Sequence, residues 1–225
     1  MNDEARHGKG QPVEDRPKAA RNAVIPAVIL AGGRSTRMGG RNKALLHLGG
    51  ETLLARVIAR LQGQCAPIAI NANGDPVLFA EYGLPVLPDT IPGFPGPLAG
   101  VLAGMEWAAG LGAPAVVSVS VDTPFLPRDL VHRLREAAGR QGIAVAASAD
   151  DSGRMRDHPT CALWPVALRD DLARAIESGL LRPGQYAASH DPGRAVFAAH
   201  ARGDGVDPFL NLNRPEDLAA AERLS

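Results

Sequence analysis

An α/β fold in three layers, with a mostly parallel central sheet, is what this sequence predicts, on three observations. Short apolar runs alternate with helix-period stretches from Val24 onward, the pattern of strands joined by covering helices. Apolar residues make up 45% of a 225-residue chain, enough to build one substantial core. Glycine (25 residues) and proline (19) gather between those runs, notably over 88–96, so the connecting loops are long and specifically shaped.

Residues 1–22 mix charge, glycine and proline without apolar period and read as a disordered leader, leaving 23–225 as one folded domain. Ala27–Leu30 is wholly apolar, as a strand covered on both faces must be. Thr52 can cap a helix whose Leu53, Leu54, Val57, Ile58 and Leu61 share one face. Strands are then expected at Ile68–Asn71 and Pro85–Leu87, a helix at Leu98–Leu111, a strand at Val116–Val121 and a helix at Arg128–Arg140. Strands at Ile143–Ala147 and Cys161–Trp164, a helix at Val166–Ser178 and a strand at Ala195–Ala198 follow. A helix at Pro215–Leu224 begins on a proline, in a position helices accept.

Lys and Arg total 24 and so do Asp and Glu, giving a net charge of zero, which argues against a nucleic-acid surface. Cys65 and Cys161 form neither a disulfide framework nor a CxxC pair; a reducing cytoplasm is the simplest setting. No uncharged apolar stretch reaches the roughly 18 residues a membrane span needs. Arg16, Lys18 and Arg21 precede the apolar run 24–31 much as a signal peptide's basic region would, but a loop carrying chemistry follows rather than a cleavage site.

In doubly wound sheets ligands bind beyond the carboxyl ends of the strands. After the first strand, glycines at 32, 33, 39 and 40 alternate with cations at 34, 37, 41 and 43, a composition that lets backbone N–H groups and positive charge surround a polyphosphate. The loop fits neither GxxxxGK[ST] nor GxGxxG. A tight turn carrying solvated arginines is the plainer alternative. The chain holds 21 Arg against three Lys, and Lys43 is the only lysine beyond residue 18. A compact ammonium is therefore wanted there, unless one lysine has survived by chance. After the fourth strand Asp122 interrupts an uncharged run, a hard oxygen ligand suited to Mg²⁺ or a cap for the next helix. Asn71 and Asn73 follow the second strand and Asp89 the third; each is weak alone.

The loop Leu30-Ala31-Gly32-Gly33, with Ser35, Arg37, Met38, Gly39 and then Lys43, resembles that of the nucleotidyltransferase superfamily, as does Asp122-Thr123-Pro124. Within it the chain is most similar to the molybdenum cofactor guanylyltransferases. The marks are Asn71-Ala72-Asn73, Asp89, the stretch from Pro95 to Gly100, Asp157-His158-Pro159-Thr160 and Asn211-Leu212-Asn213-Arg214-Pro215. Val121 stands where the family often has Cys, and Leu212 where Val is commoner. The resemblance implies a Rossmann-like nucleotidyltransferase fold, with GTP and molybdenum-loaded molybdopterin as substrates, Mg²⁺ as cofactor, and a guanine dinucleotide cofactor and pyrophosphate as products. Lys43, Arg37 and Asp122 are then the expected catalytic residues, with Asp122 on the metal. Leu30, Ala31, Gly32, Gly33, Arg37, Lys43, Asn71, Asp89 and Asp122 would bind GTP, Asp89 reading guanine N1–H and the exocyclic amine. Pro97, Leu98, Gly100, His158, Asn211 and Asn213 would form the pterin side, with His158 positioning or structural rather than a base or ligand. A monomer is expected, with transient contacts to cofactor-biosynthesis proteins or acceptor molybdoenzymes. The alternatives are a related transferase using CTP with a pterin, or another NTP with a sugar phosphate, and an inactive nucleotide-binding module.

Overall fold

Strand β1 (Ala27–Leu30) is buried along its whole length, and the alternation of its side chains divides the core in two. Ala27 and Ile29 enter one apolar cluster, Val28 and Leu30 the other. A computed structural model describes residues 24–32, 42–91, 93, 96–150, 152–198 and 207–223. The expected leader over 1–22, and Gly33 and Arg37 of the first loop, lie outside the described residues. The apolar run that superficially resembled a signal-peptide core supplies this central strand.

Around β1 stand β4 (Ile68–Asn71), β5 (Val86–Leu87), β6 (Ala115–Ser120), β7 (Ala144–Ala149), β8 (Met155–Pro165) and β9 (Gly193–Phe197), in the order β5, β4, β1, β6, β8, β7, β9. All neighbouring pairs are parallel except those of β8, which runs antiparallel to both β6 and β7. A two-residue-per-strand hairpin, β2 (His47–Leu48) with β3 (Glu51–Thr52), stands apart from the main sheet.

Helix α1 (Leu53–Leu61) starts where Thr52 Oγ1 accepts from Ala55 N, and it buries Leu53, Leu54, Val57 and Leu61, the apolar spacing read from the sequence. With α3 (Leu130–Ala137) it covers the Ile29 face. Helices α2 (Pro97–Gly110), α4 (Arg169–Glu177) and α5 (Pro183–Ala188) cover the Val28 face around Leu102, Trp164, Leu172 and Tyr186. Helix α6 (Pro215–Glu222) closes a small cluster of Leu48, Leu53, Leu212 and Ala221. Gly104 of α2 packs so closely on β1 that a Cβ there would lie 2.5 Å from Val28 Cγ1.

Several bounds differ from expectation: α3 is shorter than the helix expected over 128–140, β6 ends at Ser120 and β9 begins at Gly193, while the β2–β3 hairpin and α5 were not expected. Strand β8 begins at Met155, six residues before Cys161, because its first three residues are exposed and lack the apolar alternation that marks a strand. The stretch expected as one helix from Val166 begins as a single 3₁₀ turn, Val166–Leu168, before α4. Among the described residues, no helix is long and apolar enough to cross a membrane.

Candidate active site

The chain passes from β1 to β4 and β5 on one side, then returns to β6 on the other, so the strand order reverses beside β1, where such sheets bind ligands. Val121 N donates to Leu30 O at 3.2 Å and Ala31 N to Asn71 O at 2.9 Å. These bonds tie the starts of three loops together. Leu30 contributes backbone to this edge, its side chain lying in the core, while Gly32 is exposed.

Lys43 re-enters on a single 3₁₀ turn, Lys43–Leu45, fixed by Asn42 Oδ1 accepting from Ala44 N. Its Nζ lies 2.8 Å from Asp122 Oδ2 and 2.8 Å from Asn213 Oδ1. An ammonium has three donors, so with these two partners among the described residues one remains for a phosphate oxygen. Asn213 is held in turn: its N–H and that of Arg214 both donate to Asp217 Oδ2, at 2.9 and 2.8 Å, at the start of α6. Leu212 N donates to Asp122 O at 3.0 Å, fastening the same segment to the aspartate.

Asp122 is not a helix cap: α3 begins only at Leu130. Its Oδ1 is buried and, among the described residues, is the only buried side-chain nitrogen or oxygen with no hydrogen-bond partner. An unpaired buried carboxylate oxygen is costly; a hard divalent cation is the kind of partner it fits. No cluster of three His, Cys, Asp or Glu side chains with metal-binding geometry occurs among the described residues. Such an ion would therefore rely on substrate oxygens for other ligands, as Mg²⁺ commonly does.

On the other flank of β1, Asn71 Nδ2 donates to Leu87 O at 3.0 Å and to Asp89 Oδ1 at 2.9 Å. Asn73 Nδ2 donates to Asp89 Oδ2 at 2.7 Å, and Asp89 N donates back to Asn73 Oδ1 at 3.0 Å. Both carboxylate oxygens of Asp89 thus already accept one amide each, and a carboxylate retains further lone pairs. Gly100 belongs here too, since a Cβ on it would stand 2.1 Å from Asn71 Oδ1.

The six residues expected on the pterin side are scattered by the fold. Pro97 is exposed at the start of α2, whereas the Leu98 side chain lies in the core at 1% exposure, on the helix face packed against the sheet. Gly100 sits against Asn71, and Asn213 sits on Lys43. Asn211 is exposed. His158 is buried, its Nε2 2.8 Å from Ser148 Oγ and its ring stacked on Phe209 at 4.3 Å. Burial holds its pKa below the ordinary histidine value. Phe209 also meets Phe197 edge-on at 5.3 Å, so His158 anchors the segment that carries Asn213. Asn73, noted in the sequence only as one of two asparagines after the second strand, closes on Asp89, whereas Phe209 carried no sequence signal and was missed.

Gly32, just beyond β1, and the Lys43–Asp122 pair, just beyond β6, lie at the carboxyl edge of the sheet, where α/β folds take nucleotides. The chain belongs to the MobA-like NTP transferase family, whose domain profile matches residues 27–204. It is 50% identical over 205 residues to the molybdenum cofactor guanylyltransferase of Rhodopseudomonas palustris, covering 89% of this chain and 92% of that protein. It is also 50% identical over 197 residues to the protein of the same name from Cereibacter sphaeroides, covering 88% and 95%. Among solved structures, molybdopterin-guanine dinucleotide biosynthesis protein A from Archaeoglobus fulgidus superposes with a TM-score of 0.64 at 20% identity, over 88% of this chain and 97% of that one. The 2-C-methyl-D-erythritol 4-phosphate cytidylyltransferase from Thermus thermophilus superposes with a TM-score of 0.64 at 26% identity, over 90% and 98%.

Proposed function

We propose that the chain transfers GMP from GTP to the terminal phosphate of molybdenum-loaded molybdopterin, giving the guanine dinucleotide cofactor and pyrophosphate. The observation that carries this reading is Lys43, held at the strand edge between Asp122 and Asn213, its two partners among the described residues. The relatives at about half identity, named as guanylyltransferases, support the choice of reaction.

The acceptor phosphate attacks the α-phosphorus in line and the bond to the β-phosphate oxygen breaks, so the electron pair leaves with pyrophosphate. That phosphate is anionic near neutral pH, and the protein's task is positioning and charge neutralisation rather than proton removal. Lys43 turns its third donor to oxygens whose charge grows in the transition state. Asp122 would hold Mg²⁺ through Oδ1, and the ion, when bound, supplies a Lewis acid on the phosphate oxygens. Arg37 and the glycines of the first loop add donors to the triphosphate, while Asn71 and Asp89 hold the guanosine half. The remaining lone pairs of Asp89 suit guanine N1–H and the exocyclic amine; cytosine offers an acceptor at N3, which favours GTP over CTP although the fold itself is shared with a cytidylyltransferase. The same reading makes the chain a cytoplasmic monomer, in keeping with two buried, unbridged cysteines.

The test is incubation with Mg²⁺, molybdopterin and each of the four NTPs, with pyrophosphate and dinucleotide measured. Product from GTP alone is the expected result. Equal product from CTP moves the reading to cytidylyl transfer, and nucleotide binding without turnover moves it to a binding module.

A further inference from the structure

We propose that Asn73 is the positioning residue that sets base selectivity, by locking the Asp89 carboxylate in one orientation against Asn71. The proposal rests on the guanylyl reading and names a residue on which that reading's selectivity depends.

An ionised carboxylate can only accept hydrogen bonds, so the amide nitrogens of Asn71 and Asn73 must both face Asp89. Asn71 Nδ2 takes Oδ1 and the carbonyl of Leu87, while Asn73 Nδ2 takes Oδ2. Asn73 makes a second, reverse bond, accepting from the Asp89 backbone N–H. This pair closes a ring that fixes both the main chain and the carboxylate plane of Asp89. With Asn71 Nδ2 committed to Leu87 and Asp89, its Oδ1 is turned towards Gly100 and Gly32, where added Cβ atoms would stand 2.1 and 3.6 Å away.

The Asp89 carboxylate, with one amide on each oxygen, keeps its remaining lone pairs as acceptors in one fixed direction. Among the four bases only guanine carries two adjacent donors on its pairing edge, N1–H and the exocyclic amine. Adenine and cytosine offer a ring acceptor beside their amine, and uracil a single donor. A carboxylate able to swing could adapt to one donor, whereas one clamped at both oxygens and at its own N–H cannot. Selectivity of this kind comes from leaving a wrong base's groups unpaired. The rigidity therefore matters as much as the carboxylate. Asn73 is itself exposed and, among the described residues, hydrogen-bonds only Asp89, so its side chain can be changed without loss of a core contact.

The experiment is equilibrium competition of unlabelled GTP, ITP, ATP and CTP against labelled GTP, for the wild type, Asn73→Ala and Asn73→Asp, with thermal melting alongside. ITP lacks only the exocyclic amine. Expected in Asn73→Ala is about tenfold weaker GTP binding with ATP and CTP nearly unchanged, so that the GTP preference narrows and the GTP-to-ITP ratio falls. Asn73→Asp, which sets a second carboxylate against Asp89, should lose more. Melting temperatures close to the wild type accompany the expected result; uniform weakening of all four nucleotides means a merely structural role and overturns the proposal. A wild type that prefers GTP, with unchanged ratios in both variants, overturns it alone. A wild type that binds CTP as well as GTP overturns the guanylyl reading and this proposal with it.

Discussion

Lys43 Nζ stands 2.8 Å from Asp122 Oδ2, although 79 positions separate the two residues in the chain. The side chains are 19% and 18% exposed, so the pair is neither freely solvated nor sealed away. Its asymmetry matters most. The lysine takes one carboxylate oxygen, while the other, Oδ1, is buried with no hydrogen-bond partner among the described residues.

Replacing Lys43 by Ala should lower the rate of nucleotidyl transfer by roughly 10²–10³-fold, the scale of a lost donor to developing negative charge. Lys43→Arg should also be impaired, because a planar fork cannot meet Asp122 Oδ2 and Asn213 Oδ1 from one point and still offer a third donor. Steady-state turnover of both variants checks this, and full activity in Lys43→Arg would contradict the point-charge argument.

Asp122→Asn keeps an oxygen for Lys43 but removes the anionic ligand. Turnover should collapse at low Mg²⁺ and recover only partly as Mg²⁺ is raised. A Mg²⁺ titration of wild type and variant decides it; superimposable curves would take Asp122 out of metal binding.

Gly100→Ala forces a methyl group to within 2.1 Å of Asn71 Oδ1, so the amide must rotate or the helix must shift. Overpacking of this kind costs about 1–3 kcal/mol. Labelled GTP should bind less tightly and the melting temperature should fall. Unimpaired binding would mean that the orientation of Asn71 is unimportant to the nucleotide.

Burial pushes the Cys65 thiol up to about 12 and the Cys161 thiol up to about 11, from an ordinary 9.0. In the unfolded chain both ionise first, so the stability they contribute is complete below about pH 9 and is lost as pH rises through the folded values. Stability should decline in that alkaline window, less so in Cys65→Ala than in the wild type after allowing for the variant's own offset. A thiol reagent at pH 8 should label neither cysteine until the protein unfolds; prompt labelling of the native chain would contradict the burial.

Much of this architecture was legible in the residues, because local rules decided it. The uninterrupted apolarity of Ala27–Leu30 and the spacing after Thr52 specify a covered strand and its partner helix. Asp122 stood out as a charge closing an uncharged run, and Lys43 as a lone lysine among arginines. What escaped was non-local. Asn213 reaches Lys43 across 170 positions, a contact that no spacing rule encodes. The early part of β8 is polar and takes its conformation from pairing with β7. Leu98 was assigned by its motif, while the helix-period set Leu98, Val101, Leu102 and Met105 already pointed to the core cluster they join. His158 was read as positioning or structural, and its ring stacks on Phe209, a partner that the sequence did not indicate.

The contacts of Asn213 also let a distant ring reach the lysine. Residues 207–213 give Lys43 its second anchor and Asp122 the bond from Leu212 N, and the stack of Phe209 on His158 seats that stretch on the sheet. A substitution that loosens Phe209 would therefore free the ammonium without touching it.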